Sequence, residues 1–266
     1  MMRFNKENTM RQITVAGSQG DLAVIEAGQG EGLPVLFLHA DSGRASQWAG
    51  MLEPIGRDRK VYALDSRGSG ESSPAADGDY SYAGRAQDII DVAAALNLKR
   101  FFIVAHSGSG AAALDYAARY AERVAGLFLL DPATDPRALP SDVRAGMLEA
   151  LKGPTSLGVQ QGFYATIAGN NPQVRSRVLQ DCAVVDPAAR LGFALAFADW
   201  NPEPALDAWK GPVFLLVSSA NDNPNALYAL RPQLPHAVVA DTGHWMQLDQ
   251  PDRVAQEILS FIASVR

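Results

Sequence analysis

"FFIVAHSGSGAAALDYAARY", residues 101–120, is apolar as far as Val104, then passes through small residues around a His-Ser pair and continues in a helix-like pattern. A strand, a tight turn and a helix in this order form the repeating unit of an α/β sheet. The turn itself has two readings. Ser107 is a helix N-cap, a position that serine favours, or it is a nucleophile on a sharp turn whose crowded backbone requires small neighbours. The G-x-S-x-G form of such a turn stands here as A-H-S-G-S, with Ala105 and Ser109 in place of the glycines.

On either side of this segment the same rhythm recurs. "PVLFLHA" (34–40), "KVYALDS" (60–66), "VAGLFLLD" (124–131), "PVFLLVSS" (212–219) and "AVVADTG" (237–243) are short apolar runs. Their centres are apolar on both faces, as in parallel strands covered by helices above and below. "YSYAGRAQDIIDVAAALNL" (80–98) and "PDRVAQEILSFIASVR" (251–266) have helical length, and in the second Val254, Ile258, Phe261, Ile262 and Val265 fall on one stripe. "RQITVA" (11–16) and "DLAVIEAG" (21–28) read as an antiparallel edge hairpin. The expected fold is therefore α/β, with a doubly wound, mostly parallel, eight-stranded sheet. Residues 134–209 break the rhythm with helix-like pieces only, too long a stretch for a plain crossover. They are expected to form a helical cap over the strand ends, inserted into a core made of residues 1–133 and 210–266.

Composition narrows the function. The 266 residues are 47% hydrophobic and 20% charged, enough to bury a substantial core. The 23 basic and 29 acidic residues give a net charge of −6 without a dense Lys/Arg run, so neither nucleic acid nor an anionic membrane is an expected partner. The lone Cys182 suits a reducing compartment. "MMRFNKENTMRQ" has no apolar run of the signal-peptide kind, and no stretch is long enough to span a membrane. A cytoplasmic location is expected. No cysteine or histidine cluster has metal-ligand spacing, so neither metal nor cofactor is expected.

A serine hydroxyl reacts at neutral pH only when a base takes its proton. Of the four histidines, His39 ends a strand, His106 adjoins Ser107 with its side chain expected to point away, and His236 lies in a Pro-flanked turn. His244, after the last strand in "DTGHWMQLDQP", is preferred because that loop returns to the serine's edge of the sheet. Asp131 and Asp222 both end strands between Ser107 and His244, and either could orient the imidazole.

Together these motifs resemble the α/β-hydrolase fold superfamily with a helical cap. "FLHADSGRASQW" is similar to the family's oxyanion loop, "ALDSRGSGESS" to its D-x-R-G-x-G-x-S turn, and "GHWMQLDQP" to its histidine loop. The resemblance implies Ser107 as nucleophile and His244 as base. It favours Asp222 as the acid, through "SAND" after the post-cap strand, with Asp131 the alternative used by a minority; Asp249 is expected to be a surface or capping carboxylate. Oxyanion donors would be the backbone N–H groups of Gly108 and of Asp41, with Ala40 the alternative. This chain has His39-Ala40-Asp41 where relatives usually have His-Gly, so the Asp41 side chain must point away or bind a substrate group. The 65–72 turn is expected to be structural, with Asp65 and Arg67 paired, and Trp48 and Trp209 to be core. Phe163, Tyr164, Phe193, Phe197 and Trp200 are the candidate substrate pocket.

The expected activity is hydrolysis of a small-molecule carboxylic ester or lactone. A carbon–carbon bond hydrolase or a cofactor-free oxygenase on the same fold is the alternative, and a non-catalytic receptor or scaffold is less favoured because all three catalytic roles are filled. A serine nucleophile argues against the dehalogenase and epoxide hydrolase relatives, which carry Asp there.

Overall fold

The computed structural model describes residues 10–265; the segment 1–9, read above for its lack of an apolar run, lies outside the described residues. Eight strands form one sheet: β1 (Arg11–Gly17), β2 (Gly20–Ala27), β3 (Gly32–Leu38), β4 (Arg59–Leu64), β5 (Phe101–His106), β6 (Val124–Leu130), β7 (Val213–Ser218) and β8 (His236–Val239). Their order is β1-β2-β4-β3-β5-β6-β7-β8. β1 and β2 form the expected hairpin, β2 joins β4 antiparallel, and every other neighbour is parallel. Every residue of β5 and β6 is buried, which explains why these runs are apolar without alternation. β8 stops at Val239, short of the expected 243, because Asp241 takes φ 57° and turns the chain toward His244.

The helices are α1 (Ala49–Ile55), α2 (Tyr82–Ala95), α3 (Ser109–Arg119), α4 (Ser141–Lys152), α5 (Ser156–Ile167), α6 (Pro172–Ala183), α7 (Pro187–Ala198), α8 (Glu203–Ala208), α9 (Leu227–Leu230), α10 (Met246–Asp249) and α11 (Pro251–Ser264). One face of the sheet packs on α2, α3 and α8 through Ile89, Val92, Leu114 and Leu206, and the other on α1 and α11 through Leu52, Val254 and Ile258. Trp48 and Trp209 belong to these two cores. Among the described residues no helix is long and apolar enough to cross a membrane.

Two features position the site. First, the order in which strands are added reverses between β3 and β5, and open α/β sheets bind ligands at the carboxyl ends of the strands at such a point. Second, α4–α8 occupy the connection from β6 to β7 and tie down onto those ends. The Tyr164 hydroxyl donates to the Asp41 carbonyl (2.7 Å), the Gln47 amide to Asp181 (2.9 Å), and the His244 N–H to the Ile167 carbonyl (2.8 Å).

The 65–72 turn is held differently from expectation. Asp65 accepts the N–H groups of Ala45 (2.5 Å) and Glu71 (2.9 Å), and Arg67 forms a buried bidentate pair with Asp88 of α2 (2.7 and 2.9 Å). The correction has a simple cause: the backbone donors of the turn already satisfy Asp65, and only Asp88 gives the buried guanidinium a two-oxygen partner.

Candidate active site

Ser107 follows β5 directly and holds φ 57°, the left-handed region. Such a backbone costs a non-glycine residue about 1–3 kcal/mol and persists where its surroundings impose it. Here the Ser107 N–H is tied to the Leu130 carbonyl (3.0 Å), and its own carbonyl accepts the Gly110 N–H (2.9 Å). The N-cap of α3 is Gly108, with no side-chain cap bond, so Ser107 is not a helix cap. Gly108 is required sterically, because a Cβ there would lie 2.2 Å from Asp41 Oδ2. Ser109, read only as a small neighbour, instead bridges α2 and the loop after β3: its hydroxyl accepts from Arg85 Nη2 (2.5 Å) and donates to the His39 carbonyl.

The imidazole of His244 reaches one of the two candidate acids. His244 Nδ1 lies 2.5 Å from Asp131 Oδ2, with the carboxylate fully buried. Asp131 Oδ1 accepts the Ser218 N–H (2.7 Å), and Oδ2 also accepts the Ser218 hydroxyl (2.9 Å). Asp222, the expected partner, is exposed and takes the Tyr228 hydroxyl instead. After β7 the chain turns back at once, with the Asn221 and Asp222 N–H groups both on the Ser218 carbonyl (3.0 and 3.1 Å), and this carries Asp222 away from the strand ends. Asp131 ends β6, the immediate neighbour of the serine strand, and its own φ of 40° turns the carboxylate toward His244. Asp249 accepts from Asn171 (2.9 Å), linking the last loop to α6.

The other histidines are committed elsewhere. His106 is buried, and its ring lies 4.6 Å from that of His244 rather than far from it. Its Nε2 donates to the His244 carbonyl (2.9 Å), and its Nδ1 accepts from the Gln247 amide (3.1 Å). Burial, with the neighbouring His244 second, pushes the His106 pKa well below the ordinary value, so it stays neutral and braces the histidine loop. His39 donates from Nδ1 to the Ala40 carbonyl (2.7 Å) and accepts the Ser66 N–H at Nε2 (2.9 Å), and burial lowers its pKa as well. His236 is exposed and stacks on Tyr228. Gly243, before His244, passes so close to the end of α5 that a Cβ would lie 2.4 Å from the Ala168 carbonyl.

The loop after β3 brings Asp41 against the serine turn. Its Oδ1 pairs with Arg85 Nη1 (2.6 Å), and the guanidinium is sandwiched near the rings of Phe193 (4.8 Å) and Tyr82 (5.7 Å). Sequence reasoning missed both Arg85 and Ser218. The available signal for Arg85 was a basic residue on the buried stripe of α2, between Tyr82 and Ile89.

The expected pocket aromatics divide. Tyr164 is buried against Asp41 and Trp245, Phe193 is buried against Arg85 and Tyr80, and Trp200 meets Tyr82 edge-on. Phe197 is half-buried. Phe163 is 51% exposed, which corrects its placement as a pocket wall: α5 turns Tyr164 inward, and the adjacent residue points to solvent. A groove of about 440 Å³ opens between residues 78–82 and α7, lined by Tyr82, Leu195 and Trp200 but by neither Ser107 nor His244. Phe193→Ala is expected to lower stability by about 3–5 kcal/mol through the cavity it leaves, whereas Phe163→Ala should stay within about 0.5 kcal/mol. Chemical denaturation of both variants checks this, and equal losses would contradict the division.

Comparisons with known proteins place the fold and the family. The model of the alpha/beta hydrolase family matches residues 35–257, from β3 into α11. Among curated proteins, 2-hydroxymuconate semialdehyde hydrolase of Pseudomonas putida is 29% identical, covering 95% of this chain and 94% of that one. Among solved structures, a thermophilic esterase from Thermogutta terrifontis superposes with TM-score 0.83 at 23% identity over 96% of this chain and 99% of that one. The enol-lactonase from Burkholderia xenovorans LB400 also gives 0.83, at 15% identity over 95% and 100%. With the family model spanning most of the sheet, the serine turn and the histidine loop, the chain belongs to the alpha/beta hydrolase family.

Proposed function

We propose that the protein is a serine hydrolase that cleaves a carboxylic ester or lactone through an acyl-enzyme. One observation carries the reading: a serine held at φ 57° between strand and helix follows His106, whose ring lies 4.6 Å from that of His244, and His244 is bonded to a buried carboxylate at the end of the neighbouring strand. In this scheme Ser107 Oγ attacks the carbonyl carbon, and His244 Nε2 takes its proton. Asp131 holds the Nδ1–H and stabilises the imidazolium, and the protonated His244 then passes its proton to the leaving alkoxide. A water molecule, activated by the same imidazole, cleaves the acyl-enzyme. The Gly108 N–H, at the start of α3, and the Asp41 N–H are the proposed donors to the oxyanion, each worth a few kcal/mol of barrier. No part of the scheme requires a cofactor.

A second reading, cleavage of a carbon–carbon bond beside a carbonyl, is supported by the 29% identity to 2-hydroxymuconate semialdehyde hydrolase over nearly the whole chain. The same nucleophile and base would serve it. The purified protein is expected to turn over p-nitrophenyl butyrate and small lactones, and a fluorophosphonate probe should add its mass to the peptide containing Ser107. Cleavage of a β-diketone with all esters and lactones inert would favour the second reading. A probe adduct on any other residue would reject the nucleophile.

A further inference from the structure

The carboxylate of Asp41 is the least expected group in the site. It occupies the space that a side chain on Gly108, the residue after Ser107, would fill. A bare carboxylate beside a developing oxyanion is repulsive, yet this one is neutralised from behind: Arg85, only 2% exposed, donates Nη1 to Oδ1 at 2.6 Å. The guanidinium is itself fixed by the Ser109 hydroxyl and by the rings of Phe193 and Tyr82. It is sealed away from any ligand, and its charge serves Asp41. The loop is also pinned, since Tyr164 donates to the Asp41 carbonyl and Gln160 to the Ser42 hydroxyl (3.0 Å). The side chain of Asp41 remains 18% exposed, and its second oxygen, Oδ2, is the one turned toward Gly108.

We propose that Asp41 is a specificity-determining residue whose Oδ2 accepts a hydrogen bond from a donor on the carbon next to the scissile carbonyl, so that the preferred substrates are α-hydroxy or α-acylamino esters and lactones. The placement follows from the residue's double role. Its backbone N–H faces the substrate carbonyl oxygen in the scheme above, so its side chain reaches atoms one or two bonds from that carbonyl. A carboxylate acceptor discriminates strongly, because a substrate without the donor displaces water from Oδ2 and leaves that oxygen unsatisfied, whereas a matched hydroxyl or N–H satisfies it. The same charge disfavours an α-carboxylate. This inference rests on the acyl-hydrolase reading.

The test is a series of methyl esters: mandelate, α-methoxyphenylacetate and phenylacetate, the first two as separate enantiomers. They differ at one position, which carries a donor, an acceptor of larger size, or hydrogen. The expected result is that one mandelate enantiomer exceeds both other esters by about 10- to 100-fold in kcat/KM. A steady trend with size cannot produce this order, because the hydroxyl is intermediate between hydrogen and methoxy, and an optimum of size would survive the nearly isosteric change Asp41→Asn. In Asp41→Asn the Arg85 guanidinium should hold the amide oxygen, which leaves the NH2 in the place of Oδ2. The variant should then lose the preference for mandelate over the methoxy ester, or reverse it. Hydrolysis of p-nitrophenyl butyrate with all three methyl esters cleaved alike overturns this inference and leaves the acyl-hydrolase reading intact. If every ester is inert, both fall. If Asp41→Asn does not fold, the wild-type series decides alone.

Discussion

Ser107→Ala is expected to lower kcat on p-nitrophenyl butyrate by about 10⁶-fold, the loss seen when the nucleophile of a serine–histidine pair is removed. The expected size follows from what the substitution leaves in place. The bonds that fix the turn are made by the backbone of Ser107, to Leu130 and Gly110, and alanine keeps both. The left-handed φ of 57° strains serine and alanine alike, so the fold should not register the change and the melting temperature should move little. What disappears is the one oxygen that forms the acyl-enzyme. Any residual rate should come from the oxyanion donors and from binding, which alone can supply about 10³–10⁴-fold over water. Single-turnover kinetics and fluorophosphonate labelling on the same sample check the result. A loss below about 10²-fold would be too small for a nucleophile and would move that role elsewhere.

How far the sequence disclosed this site depended on whether the informative signal was local. The strands β5 and β6 and the serine turn were legible because burial on both faces leaves an unbroken apolar run, and because small residues, Ala105, Gly108 and Ser109, surround Ser107 in the turn that follows β5. His244 was singled out because its loop, after the last strand, returns to the serine's edge. The carboxylate that meets His244 was not, since Asp131 and Asp222 each follow an apolar strand and differ only in what the chain does next. The decisive facts are three-dimensional: β6 lies beside β5, and the chain folds back directly after Ser218. Arg85 was hidden for a related reason. Its place on the buried stripe of α2 is meaningful only once Asp41, 44 residues away, is known to face it.

The choice between the two carboxylates gives the second large effect. Asp131→Asn should lower kcat by about 10⁴-fold, the loss expected when the orienting acid of a serine–histidine pair becomes an amide, while Asp222→Asn should leave turnover nearly unchanged. Asparagine has almost the shape of aspartate, so the hydrogen bonds already in place dictate how it sits. Oδ1 of Asp131 accepts a backbone N–H from Ser218, a donor that cannot reverse its role, and the amide oxygen of the variant must therefore occupy that position. Its NH2 then faces His244 Nδ1, where Oδ2 stood at 2.5 Å. Nδ1 is forced to accept, the imidazole proton moves to Nε2, and the nitrogen that should take the proton from Ser107 no longer has a free lone pair. The Ser218 hydroxyl, which can rotate, turns to accept from the same NH2, so the wrong tautomer is reinforced rather than resisted. Asp222 bonds to the hydroxyl of Tyr228 in an exposed turn, and an amide can accept that bond equally well. The two variants should therefore unfold at similar temperatures yet differ by orders of magnitude in kcat, with the double variant no slower than Asp131→Asn alone. A crippled Asp222→Asn beside an active Asp131→Asn would mean that the loop after β7 rearranges to deliver its carboxylate to His244 during catalysis.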